Sequence, residues 1–396
     1  MSIVPTELHA APLKVFMIAA EESGDRLGAA LIHALNTRLG GRVNFSGIGG
    51  ESMSHQGLVS LFPVDELSII GFAAVARRLP MILRRIREAT DAVIAAKPDV
   101  LVIIDSPDFT HRVARRVRAR DPSIPIVNYV SPTVWAWRPG RAKAMRRYVD
   151  HVLALLPFEP EEHRVLGGPP CTYVGHPLIE KLGELRPDPD EQARRDAQPP
   201  VLLVLPGSRR SEIRHHMAPF GATLGRLAEQ GVAFEAVLPT MPHLLDAVTA
   251  AAASWPVPPR IVVGEEAKRA AFRTARAALA KSGTVTLELA LSGVPMVTAY
   301  RATAFEAWIA RRVVRVPSII LANLVIGENV IPEFHQEECG PDHLAPALRE
   351  ILENTPQRRR QVEAFARLDD IMATGKPPSE AAADVIVEVM KAKAGR

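Results

Sequence analysis

Short, uninterrupted apolar runs recur along the chain, and most are followed by a loop and then by apolar residues at helical spacing. The runs occupy residues 13–20, 100–104, 126–130, 152–156, 201–205, 234–238, 260–263, 277–280 and 294–298. Strands that are apolar on both sides belong in parallel sheets whose two faces are covered by helices. The alternation therefore predicts an α/β protein.

The length of the chain favours two domains, because a single core stops growing at about 250 to 300 residues. Residues 185–200 are polar, rich in Pro, Asp and Arg, and show no convincing helical stripe. We therefore predict an N-terminal Rossmann-like domain (1–184), a linker (185–200) and a C-terminal Rossmann-like domain (201–396) that includes the terminal helices. In such doubly wound parallel sheets ligands bind at the carboxyl ends of the strands, so a cleft between the two domains is expected.

Composition excludes several classes of function. The net charge is only +4, the chain holds four Trp and four Tyr, and no zinc-finger or RNA-recognition signature is present, so nucleic acid is not an expected partner. Cys171 and Cys339 fit neither a disulfide framework nor a metal cluster, which predicts a reducing compartment and no metal. The first residues do not resemble a signal peptide, and no apolar run approaches about 18 residues. A cytoplasmic protein without cofactor is expected.

The loops of the first half are acidic. Glu21 and Glu22 precede Ser23 after the first apolar run, and Asp105 directly follows the run 100–104. Carboxylates repel phosphate but suit sugar hydroxyl groups. Since a carboxylate at the end of a buried strand is costly unless it is used or satisfied, Asp105 is a candidate catalytic residue. Asp108 fits the first turn of a helix instead.

The loops of the second half are suited to an anion. Arg209 follows a Gly-Ser turn, and Ser282, Gly283 and Thr284 open a helix where backbone N–H groups favour negative charge. An arginine nearby can donate two parallel hydrogen bonds to phosphate oxygens. Glu288, one turn further on, can accept hydrogen bonds from ribose hydroxyls. The alternative, that residues 282–284 only cap a helix, stays open.

Residues 69–87 form a basic amphipathic segment. Its apolar stripe includes Phe72, Val75, Leu79, Ile82 and Leu83, and it is flanked by Arg77, Arg78, Arg84 and Arg85. The pattern fits either an anionic membrane surface or a core helix with a solvated face. Two further alternatives stay open: Trp135 and Trp137 either line an acyl or sugar pocket or pack internally, and His176 either faces the cleft or is structural.

These segments, taken in order, resemble one enzyme family. The matching stretches are Glu21-Glu22-Ser23-Gly24-Asp25, Gly47-Ile48-Gly49-Gly50, Asp105-Ser106-Pro107-Asp108-Phe109, Ser131-Pro132-Thr133-Val134-Trp135-Ala136-Trp137-Arg138, Gly175-His176-Pro177, Pro206-Gly207-Ser208-Arg209, Ser282-Gly283-Thr284 with Glu288, Ala322-Asn323-Leu324, and Pro332-Glu333 with Gln336. Together they resemble lipid-A-disaccharide synthases, inverting glycosyltransferases of the two-Rossmann GT-B type. The family's first motif reads Gly-Glu-Ala-Ser-Gly-Asp, so Ala20 and Glu22 depart from it.

The resemblance implies a reaction and a set of site residues. A UDP-2,3-diacylglucosamine donor would transfer its sugar to the 6-hydroxyl of 2,3-diacylglucosamine 1-phosphate, giving a β-1,6 linkage and UDP. Catalysis would fall to Asp105, as base, and Glu21. Substrate binding would involve Ser23, His176, Arg209, Ser282, Gly283, Thr284, Glu288, Asn323, Glu333 and Gln336.

Lipid substrates also favour peripheral binding of residues 69–87 to the cytoplasmic face of the inner membrane, and a homodimer is possible. The alternatives are another GT-B enzyme that acts on UDP-N-acetylglucosamine, as an epimerase or a transferase, and a non-catalytic sugar-nucleotide binding module.

Overall fold

The computed structural model of the protein describes residues 12–67, 72–303, 306–308, 312 and 316–394, without the side chains of 72–78 and 394. The chain divides into two compact units. The first comprises Met1–Pro177 and Thr374–Arg396, and the second comprises Leu178–Ala373.

The first unit alternates strands with helices. Its elements are β1 (Leu13–Ala19), α1 (Glu22–Arg38), β2 (Val43–Ile48), α2 (Glu51–His55), a 3-10 turn (Val64–Glu66), α3 (Phe72–Ala96), β3 (Val100–Ile104), α4 (Pro107–Arg120), β4 (Ile126–Tyr129), α5 (Gly140–Met145), β5 (His151–Ala154), α6 (Glu159–Val165) and β6 (Cys171–Tyr173). The strands form one parallel sheet in the order β2-β1-β3-β4-β5-β6. The strand order reverses between β1 and β3, which is where ligands bind in sheets of this kind.

The second unit repeats the architecture. It begins with a 3-10 helix that crosses the boundary (Pro177–Lys181), followed by α7 (Leu182–Leu185), α8 (Pro189–Asp196), β7 (Val201–Leu205), α9 (Arg210–Glu229), β8 (Glu235–Thr240), a 3-10 turn (Pro242–Leu244), α10 (Leu245–Ala252), β9 (Arg260–Val263), α11 (Glu265–Thr274), β10 (Ala277–Lys281), α12 (Val285–Leu291), β11 (Met296–Tyr300), α13 (Leu321–Ile326), β12 (Glu333–His335), a 3-10 turn (Gln336–Glu338), α14 (Pro341–Leu352), α15 (Pro356–Ala366) and α16 (Leu368–Met372). The parallel order β12-β11-β10-β7-β8-β9 is that of a Rossmann sheet and reverses between β7 and β10. The predicted α/β class with two doubly wound parallel sheets is confirmed.

The last helix, α17 (Pro378–Ala394), packs in the first unit. Its residues Ala382, Ile386 and Met390 join the buried cluster formed with α1 and the strands. Arg38 of α1 donates to Asp384 at 2.7 Å. The prediction that assigned residues 374–396 to the C-terminal domain therefore differs from the structure.

Residues 185–200, predicted to be a linker without helix, contain α8 and belong to the second unit. Asp188 and Glu191 form a reciprocal capping box at the start of the helix. The helix docks through a polar side chain, because buried Arg195 donates to the backbone carbonyls of Phe272 and Ser292. Because an arginine makes this contact, the sequence of α8 shows no apolar stripe from which the helix could be predicted.

Candidate functional site

Three predicted side chains of the first unit meet where its strand order reverses. Glu21, directly before α1, accepts a hydrogen bond from the Ser106 hydroxyl at 2.9 Å. Ser23 lies near enough to the Asp105 carboxylate to lower its pKa. Since β1 and β3 are neighbours in the sheet, the loops that follow them share one edge. The structure therefore brings Glu21, Ser23 and Asp105 together.

The backbone at Asp105 is held in an uncommon conformation. Asp105 and Ser106 have φ values of 51° and 43°, in the left-handed region that residues other than glycine rarely adopt. The Asp105 N–H donates to the Tyr129 carbonyl at 3.0 Å, and the Thr110 hydroxyl donates to the Asp105 carbonyl at 2.7 Å. Strained positions of this kind concentrate at functional sites, where the surrounding structure imposes them.

The environment of Asp105 also makes its carboxylate more basic. Burial raises the pKa of Asp105, the negative charge of Glu21 raises it further, and hydrogen bonds from Ser106 and Ser23 only partly offset both. A carboxylate with a raised pKa is a better proton acceptor than an ordinary aspartate. Asp105 thus has the chemical properties of a general base.

The other acidic residues of these loops have separate roles. Glu22 lies on the solvent side and pairs with Arg26 one turn later. Asp25 is buried and accepts from the N–H groups of Gly50 at 2.7 Å and Ser52 at 2.8 Å, so it caps α2. Of the two adjacent glutamates, Glu21 is therefore the one that faces Asp105.

A buried polar pair beneath this edge was not predicted. His111 lies 3.1 Å from the side-chain oxygen of Asn128, and the Asn128 amide donates to the Val130 carbonyl at 2.9 Å. Val130 has a φ of 75°, an unfavourable value for a β-branched residue. Burial lowers the pKa of His111 to about 4, so the ring is neutral near pH 7. The pair supports the loop after β4.

His176 lies apart from this cluster. It follows β6, the edge strand, which is three strands from β3 and so about 14 Å away. Burial lowers its pKa to about 4. His176 is therefore uncharged near neutral pH, and its predicted role in substrate binding stays a prediction.

The second unit has a cavity of about 430 Å³ across the carboxyl ends of β10, β7, β8 and β9. Four of the predicted substrate-binding residues line it, namely Arg209, Gly283, Thr284 and Glu288. The neighbouring Ser282 is buried, and its hydroxyl has no hydrogen-bond partner within the described ranges. The cavity spans the point where the strand order reverses.

Four charged residues that line this cavity were not predicted, namely Glu212, Glu265, Lys268 and Lys281. The Glu212 carboxylate accepts from the Ser208 N–H at 2.9 Å and from Lys281 Nζ at 3.0 Å, and Arg209 Nη1 lies 3.2 Å away. Burial acts to raise the pKa of Glu212, but Lys281, the Ser208 N–H and Arg209 outweigh it and hold the pKa below its usual range. Glu212 stays ionised and fixes two cations beside the cavity.

The close approach of Glu212 depends on a glycine. Gly207 has a φ of 125°, and a Cβ built there would lie 2.5 Å from the Glu212 side chain. The Gly-Ser turn, predicted to offer its N–H groups to an anion, therefore gives them to Glu212 instead, since the N–H of Arg209 also donates to that carboxylate at 3.3 Å. The cations Arg209 and Lys281 remain to attract an anion.

Glu288 is placed in the cavity but is already paired. Lys268 Nζ lies 3.1 Å from its carboxylate, and Glu265 shares the same lysine at 3.1 Å. A ribose that hydrogen-bonds Glu288 would therefore share it with Lys268.

Asn323, Glu333 and Gln336 do not line this cavity. Asn323 is fully buried; its oxygen accepts from the N–H groups of Val330 and Ile331, and its amide donates to the Ile331 carbonyl at 3.0 Å. Glu333 accepts from the Ser318 hydroxyl and from the Ile319 N–H. Gln336 accepts from the Ala302 N–H at 3.2 Å. This geometry fits a structural role for the three residues.

The amphipathic segment falls on α3, and the part before Leu79 lies outside the described side chains, so Phe72, Val75, Arg77 and Arg78 are not placed. Leu79 is 44% exposed, whereas Ile82 packs against the core and Leu83 is half-buried. No helix of the described part is long and apolar enough to cross a membrane.

Two of the described arginines of α3, Arg84 and Arg85, differ in their surroundings. Arg84 is exposed and pairs with Glu88 at 2.8 Å. Arg85 pairs with both Glu66 and Glu88 and lies 4.5 Å above the ring of Phe62. Arg85 therefore anchors α3 to the segment that follows α2, while Arg84 is exposed to solvent.

Comparison with known proteins identifies the family. The family model of lipid-A-disaccharide synthetase matches residues 15–387. The lipid-A-disaccharide synthase of Nitrobacter hamburgensis is 71% identical over 96% of this chain and 97% of its own length, and that of Rhodospirillum centenum is 43% identical over 96% and 95%.

Solved structures with low sequence identity share the fold. The glycosyltransferase of kitacinnamycin superposes with a TM-score of 0.62 at 17% identity, covering 96% of this chain and 99% of that one. S. aureus MnaA, determined with UDP, gives 0.61 at 12% identity and 97% coverage of both chains. On the family model and the full-length relatives, the chain belongs to the lipid-A-disaccharide synthase family, glycosyltransferases of lipid A biosynthesis.

Proposed function

We propose that the chain transfers 2,3-diacylglucosamine from UDP-2,3-diacylglucosamine to the 6-hydroxyl of 2,3-diacylglucosamine 1-phosphate, with inversion, to give a β-1,6-linked disaccharide 1-phosphate and UDP. Membership of the family supports the lipid A precursor as product. A sugar nucleotide as donor is supported by the fold neighbours, since one is described with UDP and another, from Neisseria meningitidis, with UDP-GlcNAc.

The donor belongs in the cavity of the second unit. Arg209 and Lys281 carry positive charge to the point where β7 and β10 end, and a diphosphate binds best where such groups converge. Their charge also stabilises UDP as a leaving group, because the negative charge on its diphosphate grows as the sugar departs. Glu288 and Lys268 lie further along the same cavity and suit the ribose.

The acceptor hydroxyl belongs at Asp105. In one displacement the 6-oxygen forms a bond to the anomeric carbon, the bond from that carbon to the diphosphate oxygen breaks, and the hydroxyl proton passes to the Asp105 carboxylate. Attack on the face opposite the leaving group inverts the anomeric centre. Glu21 and Ser23 hold Asp105 and its loop in place.

The single observation that carries this proposal is the raised pKa of Asp105 in a strained loop where the strand order reverses. A proton acceptor at such a position serves a bound hydroxyl group. A module that only binds sugar nucleotides would have no use for it.

The direct test incubates the purified full-length protein with both acylated sugars and measures UDP and disaccharide. Equal amounts of both products are expected. UDP without disaccharide would indicate hydrolysis and contradict transfer. A parallel incubation with UDP-N-acetylglucosamine alone tests the epimerase alternative, for which no change in the sugar is expected.

We also propose that the protein acts at the cytoplasmic face of the inner membrane, bound peripherally through α3. Exposed apolar side chains support this surface: Leu79 on α3, and Val59 and Leu61 in the loop that Arg85 ties to α3. Exposed Arg84 adds positive charge that anionic lipids attract. Association into a homodimer stays a prediction.

A further inference from the structure

The loop between β4 and α5 holds two arginines against one indole ring. The guanidinium carbons of Arg138 and Arg141 lie 4.2 Å and 5.7 Å from the centre of the Trp137 ring. The indole is itself fixed, because its N–H donates to the Thr133 hydroxyl at 2.8 Å. Arg138 has a φ of 54°, and its carbonyl accepts from the Arg141 N–H at 2.9 Å. The loop thus holds both cations against the same ring.

This pair carries positive charge that the described part of the protein neutralises only in part. Arg141 lies 3.4 Å from Asp108, a long contact to a carboxylate that is 83% exposed. Arg138 is exposed and forms no ion pair within the ranges that the structure describes. One guanidinium with a weak ion pair and one without an ion pair in the described ranges can together bind an anion that has several oxygens.

The arginine pair lies close to the acidic loop of the candidate base. Asp108, which contacts Arg141, is three residues after Asp105, so their Cα atoms are at most about 11 Å apart. The strands that precede the two loops, β3 and β4, are hydrogen-bonded neighbours. The cations and the carboxylate therefore border the same region of the sheet edge.

We propose that Arg138 and Arg141 bind a phosphate monoester on the acceptor, its 1-phosphate, while Asp105 receives the proton of its 6-hydroxyl. The inference rests on the proposed function. Glu21 and Asp105 repel a phosphate, so an acceptor that carries one needs compensating cations beside them. C1, which carries the phosphate, and C5, which carries the 6-hydroxymethyl group, are both bonded to the ring oxygen, so the phosphate and the hydroxyl lie at the same edge of the sugar. A carboxylate and a cation pair on neighbouring loops match this arrangement.

The test compares two acceptors, 2,3-diacylglucosamine with and without its 1-phosphate, in the wild type and in R138Q/R141Q. With the wild type, removing the phosphate should lower kcat/KM by about 10- to 100-fold, the range for hydrogen bonds to a charged group. In R138Q/R141Q the phosphorylated acceptor should lose a similar factor, and removing the phosphate should then change little. Undiminished discrimination in the variant would overturn the proposal.

The control variant R146Q/R147Q removes two exposed arginines next to α5 and should discriminate as the wild type does. UDP affinity of R138Q/R141Q should also equal that of the wild type, and its melting temperature should stay above the assay temperature although the contacts to Trp137 are lost. Binding to phosphatidylglycerol vesicles separates phosphate on the acceptor from lipid headgroups: weakened vesicle binding with intact discrimination would assign the arginines to the membrane and overturn the proposal. A wild type that forms no disaccharide would instead contradict the proposed function.

Discussion

Asp105 combines two properties that seldom occur by chance: a strained backbone at the end of a buried strand and a second carboxylate close enough to raise its pKa. Glu21 supplies that charge and is held by the Ser106 hydroxyl. In the proposed mechanism the two carboxylates act as one unit, in which Asp105 accepts the proton and the charge of Glu21 raises the pKa of Asp105.

The first prediction concerns the pH dependence of this unit. The base must be deprotonated, so kcat/KM falls as the pH drops through the raised pKa of Asp105. In E21Q the repulsive charge is gone, the pKa of Asp105 falls, and the acidic limb of the profile should move to lower pH. A profile of kcat/KM between pH 4 and about 8 measures this. A limb that stays in place, or moves upward, would contradict the assignment of Glu21.

Glu212 should act through the cations that it holds. E212Q keeps the shape of the side chain but loosens Arg209 and Lys281, so we expect KM for the donor to rise about tenfold while kcat changes less. Steady-state kinetics at varied donor concentration gives both values. The matched control is E229Q on the same helix, where an exposed pair with Arg226 is lost. UDP binding that is unchanged or tighter in E212Q would refute the role.

Asn323 offers a test between substrate contact and structural support. In N323A the N–H groups of Val330 and Ile331 lose their acceptor, so the free energy of unfolding should fall by about 1 to 3 kcal/mol. KM for the donor should not change below the melting temperature. Denaturant unfolding and donor kinetics measure the two effects. A variant of wild-type stability with impaired donor binding would favour substrate contact.

Some site residues carry a signal in their immediate sequence neighbours, whereas others are recognisable only beside a partner that is distant in the sequence. Asp105 was predicted because a carboxylate directly after five apolar residues is visible as an anomaly. Glu212 and Lys281 lie 69 positions apart, and each alone resembles an ordinary surface charge. Only the pairing of β7 with β10 brings them together.

At the scale of elements, the apolar stripe of α3 is buried along its later turns and exposed at Leu79. Its later turns pack Ile86 and Val93 into the core, while Leu79 remains exposed. An apolar periodicity indicates that a face is buried, but it does not say against what. The core interpretation holds for the later turns, and the membrane interpretation stays a proposal for the exposed turn at Leu79.

The prediction for this helix tests its exposed turn, at Leu79, separately from the turn that Arg85 anchors. L79D removes exposed apolar surface and should weaken binding to phosphatidylglycerol vesicles by about tenfold or more without loss of stability. R85Q breaks the contacts to Glu66 and Phe62 and should lower the melting temperature. Vesicle co-sedimentation and thermal unfolding of both variants give the result. Equal vesicle binding by wild type and L79D would exclude this surface.

Across the whole molecule, the alternation of strands and helices sufficed to predict two parallel sheets, but not where the chain divides. Helix α17 has an apolar face that would fit either unit, and α8 has none. Which sheet a terminal helix covers depends on shape and on distant partners such as Arg38, and these are not encoded locally.

Each sheet reverses its strand order at a loop cluster, which holds the carboxylates Glu21 and Asp105 in the first unit and the cations Arg209 and Lys281, fixed by Glu212, in the second. In the proposed reaction the first cluster activates a hydroxyl and the second releases a diphosphate. The variant D105N tests this proposal most directly, since it leaves Arg209 and Lys281 in place and removes only the proposed proton acceptor.

The decisive measurement is disaccharide formation by D105N at saturating substrates, together with its Kd for UDP. We predict a loss of at least about 100-fold in turnover, the contribution of a positioned base, with UDP affinity within about twofold of the wild type. Turnover close to that of the wild type would remove Asp105 from catalysis and contradict the account.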